Sequence, residues 1–336
     1  MPTYYVDTDV SGGSHNGADW TNAYATLALC IAGISKTLTA PLIINCRGAT
    51  ADATLVDVDG FNSTSSNTIT IQVPLEYRAK GKVDTGKYRI AASGASVTAA
   101  LSINDPYVTV IGVQIGNTNA GGVFCAHSYI NDSVFNSCIA YRPNVSNSGS
   151  CGFTSNGSDT GYVCINCLAV DQGDSAFVYG SDADRYYNCV ALNTPAGFSS
   201  YPGSHECVAY NCYAQGTVGY NGAAGTFALT TCASSDGSVG STAIALTTAG
   251  TAGTRYTNIT AYSQDIHIAE ATSALISAGT DLTSIFTTDI DGTTRRSGSA
   301  WDIGCHEYVG VAPAGHPAMA RWNGIPGMNY TGRKGW

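Results

Sequence analysis

The chain has 336 residues, a length that fits one large domain or two ordinary ones and suffices to bury a substantial core. Charged residues make up only 12%, while glycine reaches 39, tyrosine 20 and cysteine 12, which excludes a coiled coil, a helical solenoid and a disordered acidic protein. The formal charge of -9 argues against nucleic acid as a partner, and no apolar run approaches the ~18 residues of a membrane span.

In chain order, the opening MPTYYVDTDVSGG has neither a basic n-region nor an apolar h-region. No secretory signal is therefore expected, and the cysteines are expected to stay reduced in a cytoplasm. Asp19 is a good N-cap type, and Trp20, Tyr24, Leu27, Ile31 and Ile34 share one helical face, so a helix is predicted over residues 19–35. Strands are predicted at 41–46, 68–73, 97–103 and 107–115.

From about residue 120 an irregular repeat sets in, carried by two markers. A small residue before an aromatic one recurs at Phe124, Phe153, Phe177, Phe198 and Tyr220, with spacings of 29, 24, 21 and 22. A cysteine with a polar neighbour and a small residue behind it recurs at Cys138, Cys167, Cys189, Cys212 and Cys232, with spacings of 29, 22, 23 and 20. The segments around each cysteine, such as VFNSCIAYR and RYYNCVALN, read as short strands with no helical period. Such units fit an all-β, right-handed parallel β-helix whose coils stack about 4.8 Å apart. An open solenoid end exposes strand edges, which gives the predicted helix its place as a cap. The organisation expected is an N-terminal strand and capping helix at 1–40, coils at 41–245 (clearest at 120–236), C-terminal coils and cap at 246–309, and an extended arm at 310–336.

The opening YYVDTDVSGG with WTNAYATLALCI, and the closing Asp289, Asp291-Gly292, Arg295, Asp302-Ile303-Gly304 and Glu307, resemble the two ends of right-handed parallel β-helix proteins of the pectate-lyase-like superfamily. The resemblance spans residues 3–309 and concerns fold more than activity. Family members with lyase activity use a calcium cluster and a basic Arg or Lys, but here no lysine lies between Lys87 and Lys334, and no lyase site is expected.

Cys164 and Cys167 form a CxxC, but positions i and i+3 of a strand face opposite ways unless a turn intervenes, and no second pair completes a site, so no metal is predicted there. The repeated cysteines are expected to stack as free buried thiols, because coil spacing exceeds the separation a disulfide needs. No cofactor is expected. Asp159, Asp182 and His205 are 23 residues apart and Asp184 and Glu206 are 22 apart, so these groups are expected in adjacent coils. Asp182, Asp184, His205 and Glu206 are the candidate set for a glycoside hydrolase, with Arg185 beside them; the alternative is a solvated turn. Tyr187 and Tyr210 are expected to stack, either as a stabilising ladder or as a sugar-binding surface.

Beyond Tyr308 the sequence has no acid and three basic residues, leaving -12 on the rest of the chain. Arg321, Trp322, Met328, Arg333, Lys334 and Trp336 are types that anchor interfaces, so 310–336 reads as a docking arm or as a strap folded back on its own solenoid. A low-charge β-helix with such an arm resembles virion proteins of tailed bacteriophages. The resemblance implies a capsid decoration or cement protein, made in the host cytoplasm, trimeric, and bound to the major capsid protein or another virion subunit. A polysaccharide-binding or polysaccharide-degrading tail spike is the alternative, and a bacterial surface adhesin a third reading.

Overall fold

The computed structural model describes residues 1–310 except 93–98, 118–123, 131, 143–149, 156–160, 180–183, 201–206, 222–226, 237–243, 246–255 and 270–272. It is a parallel β-helix. Each coil contributes a strand to three walls, and strands in one wall pair in parallel with the coils above and below. The first wall is a nine-stranded sheet running from Thr3–Asp7 through Leu42–Arg47, Ile69–Gln72, Val108–Ile111, Val134–Asn136, Val163–Ile165, Arg185–Tyr187 and Cys207–Tyr210 to Phe227–Thr230. The second includes Arg89–Ala92, Gln114–Asn117, Ile139–Tyr141 and Leu168–Val170; the third includes Val56–Val58, Ala99–Ile103, Phe124–Ser128, Cys151–Ser155 and Ser175–Tyr179. These two walls merge where Val190–Ser200 runs through their corner, pairing by its start with Leu168–Val170 and by its end with Ser175–Tyr179.

The repeat has a backbone cause. At the corner from first to second wall, Ser137, Asn166, Asn188, Asn211 and Thr231 all have φ between 49° and 55°, the left-handed region. Asn tolerates this region best among residues carrying a side chain. In the coil before, Gly112 takes the corner at φ 70°. Each left-handed turn aims the next residue inward, and that residue is Cys138, Cys167, Cys189, Cys212 or Cys232, all without solvent exposure. The eleven cysteines whose side chains are described are free and buried. Each thiol of the column donates to a backbone carbonyl, as Cys167 does to Phe135 O at 3.3 Å. A turn does intervene at Asn166, and it brings Cys164 and Cys167 to the same interior side where an unbroken strand would have faced them opposite ways.

The aromatic marker forms a second column. Phe153, Phe177, Phe198 and Tyr220 stack with centroids 5.3, 4.7 and 5.0 Å apart and planes within 11°. Phe124 does not join them. It pairs with Cys151, and Ala126 stands opposite Phe153, so the first expected unit is out of register. Where the second and third walls meet, Ala140, Ala169 and Ala191 face glycines, and a Cβ on Gly152 would lie 2.5 Å from Ala176 O. Tyr187 and Tyr210 stack as expected, 5.6 Å apart.

The capping helix is shorter than predicted, spanning Leu27–Gly33 with Thr26 as N-cap. Asp19 instead caps a turn, accepting from Asn22 N at 2.8 Å. Tyr24 cannot be helical because its backbone bridges to the first strand, donating to Tyr5 O and accepting from Asp7 N. Leu27, Cys30 and Ile31 bury against the end of the core, and the buried Asp52 carboxylate accepts from Leu27 N at 2.8 Å.

The larger difference lies at the other end. In place of the expected C-terminal coils, residues 256–269 and 273–308 lie along the outside of the second wall. Tyr256, Ile266, Leu275, Ile290 and Ile303 form a second core with Ile139, Leu168, Val190 and Tyr213, the outward residues of that wall. The segment reaches back to the early coils, bridging Lys82 with Asp265. Replacing the central Phe177 by Ala removes a ring stacked on both sides and is expected to cost about 3–5 kcal/mol in denaturant unfolding. Asn188→Gly is expected to keep the corner but lose the side-chain bonds described below, and Asn188→Ala to lose both, so the alanine variant unfolds at lower denaturant.

Candidate functional site

Of the sequence-predicted catalytic set, Asp184 is described, and Asp182, His205 and Glu206 lie outside the described residues, as does Asp159. Asp184 has no solvent exposure. Its carboxylate accepts from Ser155 Oγ at 2.7 Å and from Tyr162 N at 2.9 Å, which ties the third wall to the first. Both oxygens are engaged in holding the coil, a buried turn cap rather than a solvated acid or base. Arg185 donates to the Asp184 carbonyl at 3.2 Å. The arm residues Arg321, Trp322, Met328, Arg333, Lys334 and Trp336 also lie outside the described residues.

The closing motif is a buried clamp. Asn188 Nδ2 donates to Asp302 O and Gly304 O at 3.0 and 2.8 Å, and Asn211 Nδ2 to Thr280 O at 2.8 Å. Arg295 is buried and donates to Glu307 Oε2 at 3.0 Å, to Asn166 Oδ1 at 3.1 Å and to Gly304 O at 3.0 Å. Asp289 accepts from Asp291, Thr293 and Glu307 backbone N–H groups, and Asp302 from those of Ser277 and Tyr308. Burial, with Asp302 adding to it, pushes the Glu307 carboxyl up to about 7. The left-handed asparagines thus serve twice, turning the coil and receiving the flank segment.

Beside the clamp stands a cluster that sequence reasoning missed. His267 bonds through Nδ1 to Asp265 and through Nε2 to Asp291 Oδ2 at 2.8 Å. His306 Nε2 lies 3.9 Å from the same oxygen. The ligating atoms of His267, Asp291 and His306 fall within 4.8 Å of one another, the spread of a metal centre. His306 does not suit one, because its Nδ1 accepts from Ile268 N at 3.2 Å. The proton of the neutral ring then sits on Nε2, the atom a metal would need. The hydrogen bond to Asp291, against some desolvation and with Asp265 adding to it, raises His267 to about 9, while burial and the charge of His267 lower His306 to about 4. The arrangement is a charged imidazolium held between two carboxylates with a neutral imidazole beside it, a pin for the flank segment. The available signal was the alternation in Asp265-Ile-His267-Ile, which places two polar groups on one side of a strand.

Among the described residues, two recesses are lined by both acidic and basic groups. One, of 320 Å³, lies near the N-terminal end, where Arg47 Nε donates to Asp7 Oδ2 at 2.7 Å and the guanidinium lies 4.2 Å from the Trp20 ring. Asp9 there already accepts from Ala49 N and Thr50 N. The other, of 190 Å³, lies between the second wall and the flank segment, lined by residues that include Tyr141, Arg142, Asp171 and Gln264.

Fold and sites together define a parallel β-helix protein closed at one end by a helix and along one side by its own C-terminal segment. No family model and no curated protein matches the chain. Among solved structures, pectate lyase Pel9A aligns over 91% of this chain and 96% of its own, with 15% identity and a TM-score of 0.34. At that distance the likeness carries no argument about chemistry, and the fold stands on its own strand pairing.

The two histidines make opposite predictions for stability. His267, raised above 6.5, contributes stability fully present below that value and lost as pH rises through about 9. His306, lowered, contributes stability present above 6.5 and lost as pH falls through about 4. Melting curves of the wild type and His267→Gln from pH 5 to 10 are expected to converge above pH 9.

Proposed function

We propose that this chain is a structural protein of a tailed-bacteriophage particle: a trimeric capsid decoration or cement protein, attached through residues 310–336 to the major capsid protein or another virion subunit. The observation that supports this reading is an outer face that the described residues leave largely uncovered. Parallel sheets are normally covered on both sides. The second wall has its cover in the flank segment, whereas the outer face of the first carries Thr109, Val134, Val163, Arg185 and Val208 in register. These residues are half-buried, and the three valines belong to neither hydrophobic core among the described residues. A row of mostly β-branched residues suits packing against copies of itself around a threefold axis. The tail, with three basic residues and no acid against a body of -12, supplies an element of different chemistry for attachment. The hydrolase reading gains nothing from Asp184, whose carboxylate is filled.

Sedimentation equilibrium is expected to give three times the 34.6 kDa chain mass, and Val163→Asp with Val208→Asp to give the single mass. Gradient fractionation of a source lysate with mass spectrometry tests the particle role directly. Co-sedimentation with DNA-filled particles at many copies each supports it, and recovery only as free protein overturns it.

A further inference from the structure

The capping helix Leu27–Gly33 is apolar all the way round: its sequence, LALCIAG, holds no charged, hydroxyl or amide side chain. Leu27, Cys30 and Ile31 bury on the solenoid, yet on the other side Leu29 is 55% exposed and Ala32 and Gly33 are open to solvent. A surface helix ordinarily sets polar residues on its outer face, and one that is apolar on every side is a helix meant to be covered on both. That outer side borders a groove of 550 Å³ at the tip of the rod, lined by His15, Tyr24, Ala25, Leu29, Ala32 and Gly33.

The groove is preformed. The Tyr24 ring is wedged beside two glycines, so that a Cβ on Gly33 would stand 2.7 Å from Tyr24 Oη and one on Gly17 2.6 Å from Tyr24 Cε2. Thr26 Oγ1 accepts from Leu29 N at 3.2 Å, and His15 Nδ1 donates to Ala23 O at 3.1 Å.

Its chemistry selects the occupant. A small-molecule site of this size carries several placed polar groups to orient its ligand. Here the lining offers only the Tyr24 hydroxyl and the His15 ring, one nitrogen of which is already committed to Ala23. The tail beyond Tyr308 brings three basic residues and no acid, and the groove has no carboxylate to receive them. A second copy of the same tip matches it. Leu29 is a large exposed side chain standing beside small ones, so a twofold axis sets each Leu29 against the small residues of the other copy. No Asp, Glu, Lys or Arg lines the contact, and bodies that each carry -9 repel least where they meet through an uncharged surface.

We infer that the N-terminal tip is a twofold contact between copies of this chain, with Leu29 of each seated against Tyr24, Ala25, Ala32 and Gly33 of the other. Seven helical residues present a small face beside the roughly 1,200 Å² of a stable interface, so the pairing is weak and appears as concentration rises. The clamp at Asn188 and Asp302 follows the seventh strand of the first wall, six coils from the tip, so the two tails leave a joined pair far from the contact. Under the attachment reading such a pair bridges two attachment points; the contact itself depends neither on that reading nor on the threefold packing.

Sedimentation equilibrium of the full chain from about 1 μM to about 1 mM tests this. The mass is expected to double across the range, whatever assembly stands at the low end. Leu29→Glu is expected to hold the low-end mass throughout, and Ala32→Glu, also at an exposed position, to do the same. The chain with Val163→Asp and Val208→Asp is expected to start from the single mass and still double, which separates a failure of this contact from a failure of the threefold packing. A mass that stays flat to 1 mM, or a doubling that survives both glutamates, overturns the inference. So does a mass that climbs past double, the mark of a head-to-tail contact such as a tail seated in the groove of the next copy.

Discussion

The left-handed residue at the corner between the first and second walls is the constraint on which the rest of this structure depends. A chain of ordinary residues leaving a strand cannot turn so tightly without strain, and Asn bears the strain at least cost after Gly. Turning there sends the following side chain straight into the solenoid, which is why a small, apolar group such as cysteine follows. Repetition at Ser137, Asn166, Asn188, Asn211 and Thr231 keeps the walls in register, so the thiol and aromatic columns stack of necessity. A corner of glycine alone would turn as well but would leave nothing to hold the flank.

That second use of the corner explains the distribution of charge. Arg295, Asp289, Asp302 and Glu307 are all nearly inaccessible, a costly arrangement in a protein with so few charges. Arg295 pairs with Glu307, and their other partners are backbone groups of the flank segment and the amide of Asn166, so removing any one strands the others. Pairs of this kind specify position more than they add stability. They fix one docking of a segment that carries little regular structure of its own, and the apolar contacts of Leu275, Ile290 and Ile303 supply the adhesion.

The sequence was legible where the coil repeats. Cysteine and phenylalanine spacing reported the walls because each marks a fixed place on every turn, and Tyr187 over Tyr210 followed from the same arithmetic. It misled at Phe124, where a small-aromatic pair occurs two residues out of step with the column. It also misled at the N-terminus, where an amphipathic pattern continued through Tyr24 although strand pairing claims that backbone. The flank was invisible to periodicity, since Asn188 and Asp302 meet across 114 residues and neither side repeats. The pin of His267 and His306 was hidden likewise, because Ile268 and His306, whose hydrogen bond sets one ring beside the other, are 38 residues apart.

The column of thiols has a consequence for how the protein must be made. Inside the finished solenoid each sulfur is sealed from oxidant and too constrained to seek another, and burial pushes Cys138, Cys167 and Cys212 above the ordinary thiol range. Before the coils close, the same cysteines are spaced along a flexible chain and free to cross-link in many wrong combinations. Folding order and redox surroundings are therefore coupled. Coils that close in reducing conditions carry their chemistry safely out of reach, and the closed rod can afterwards pass into oxidising surroundings without a single protective bond having formed.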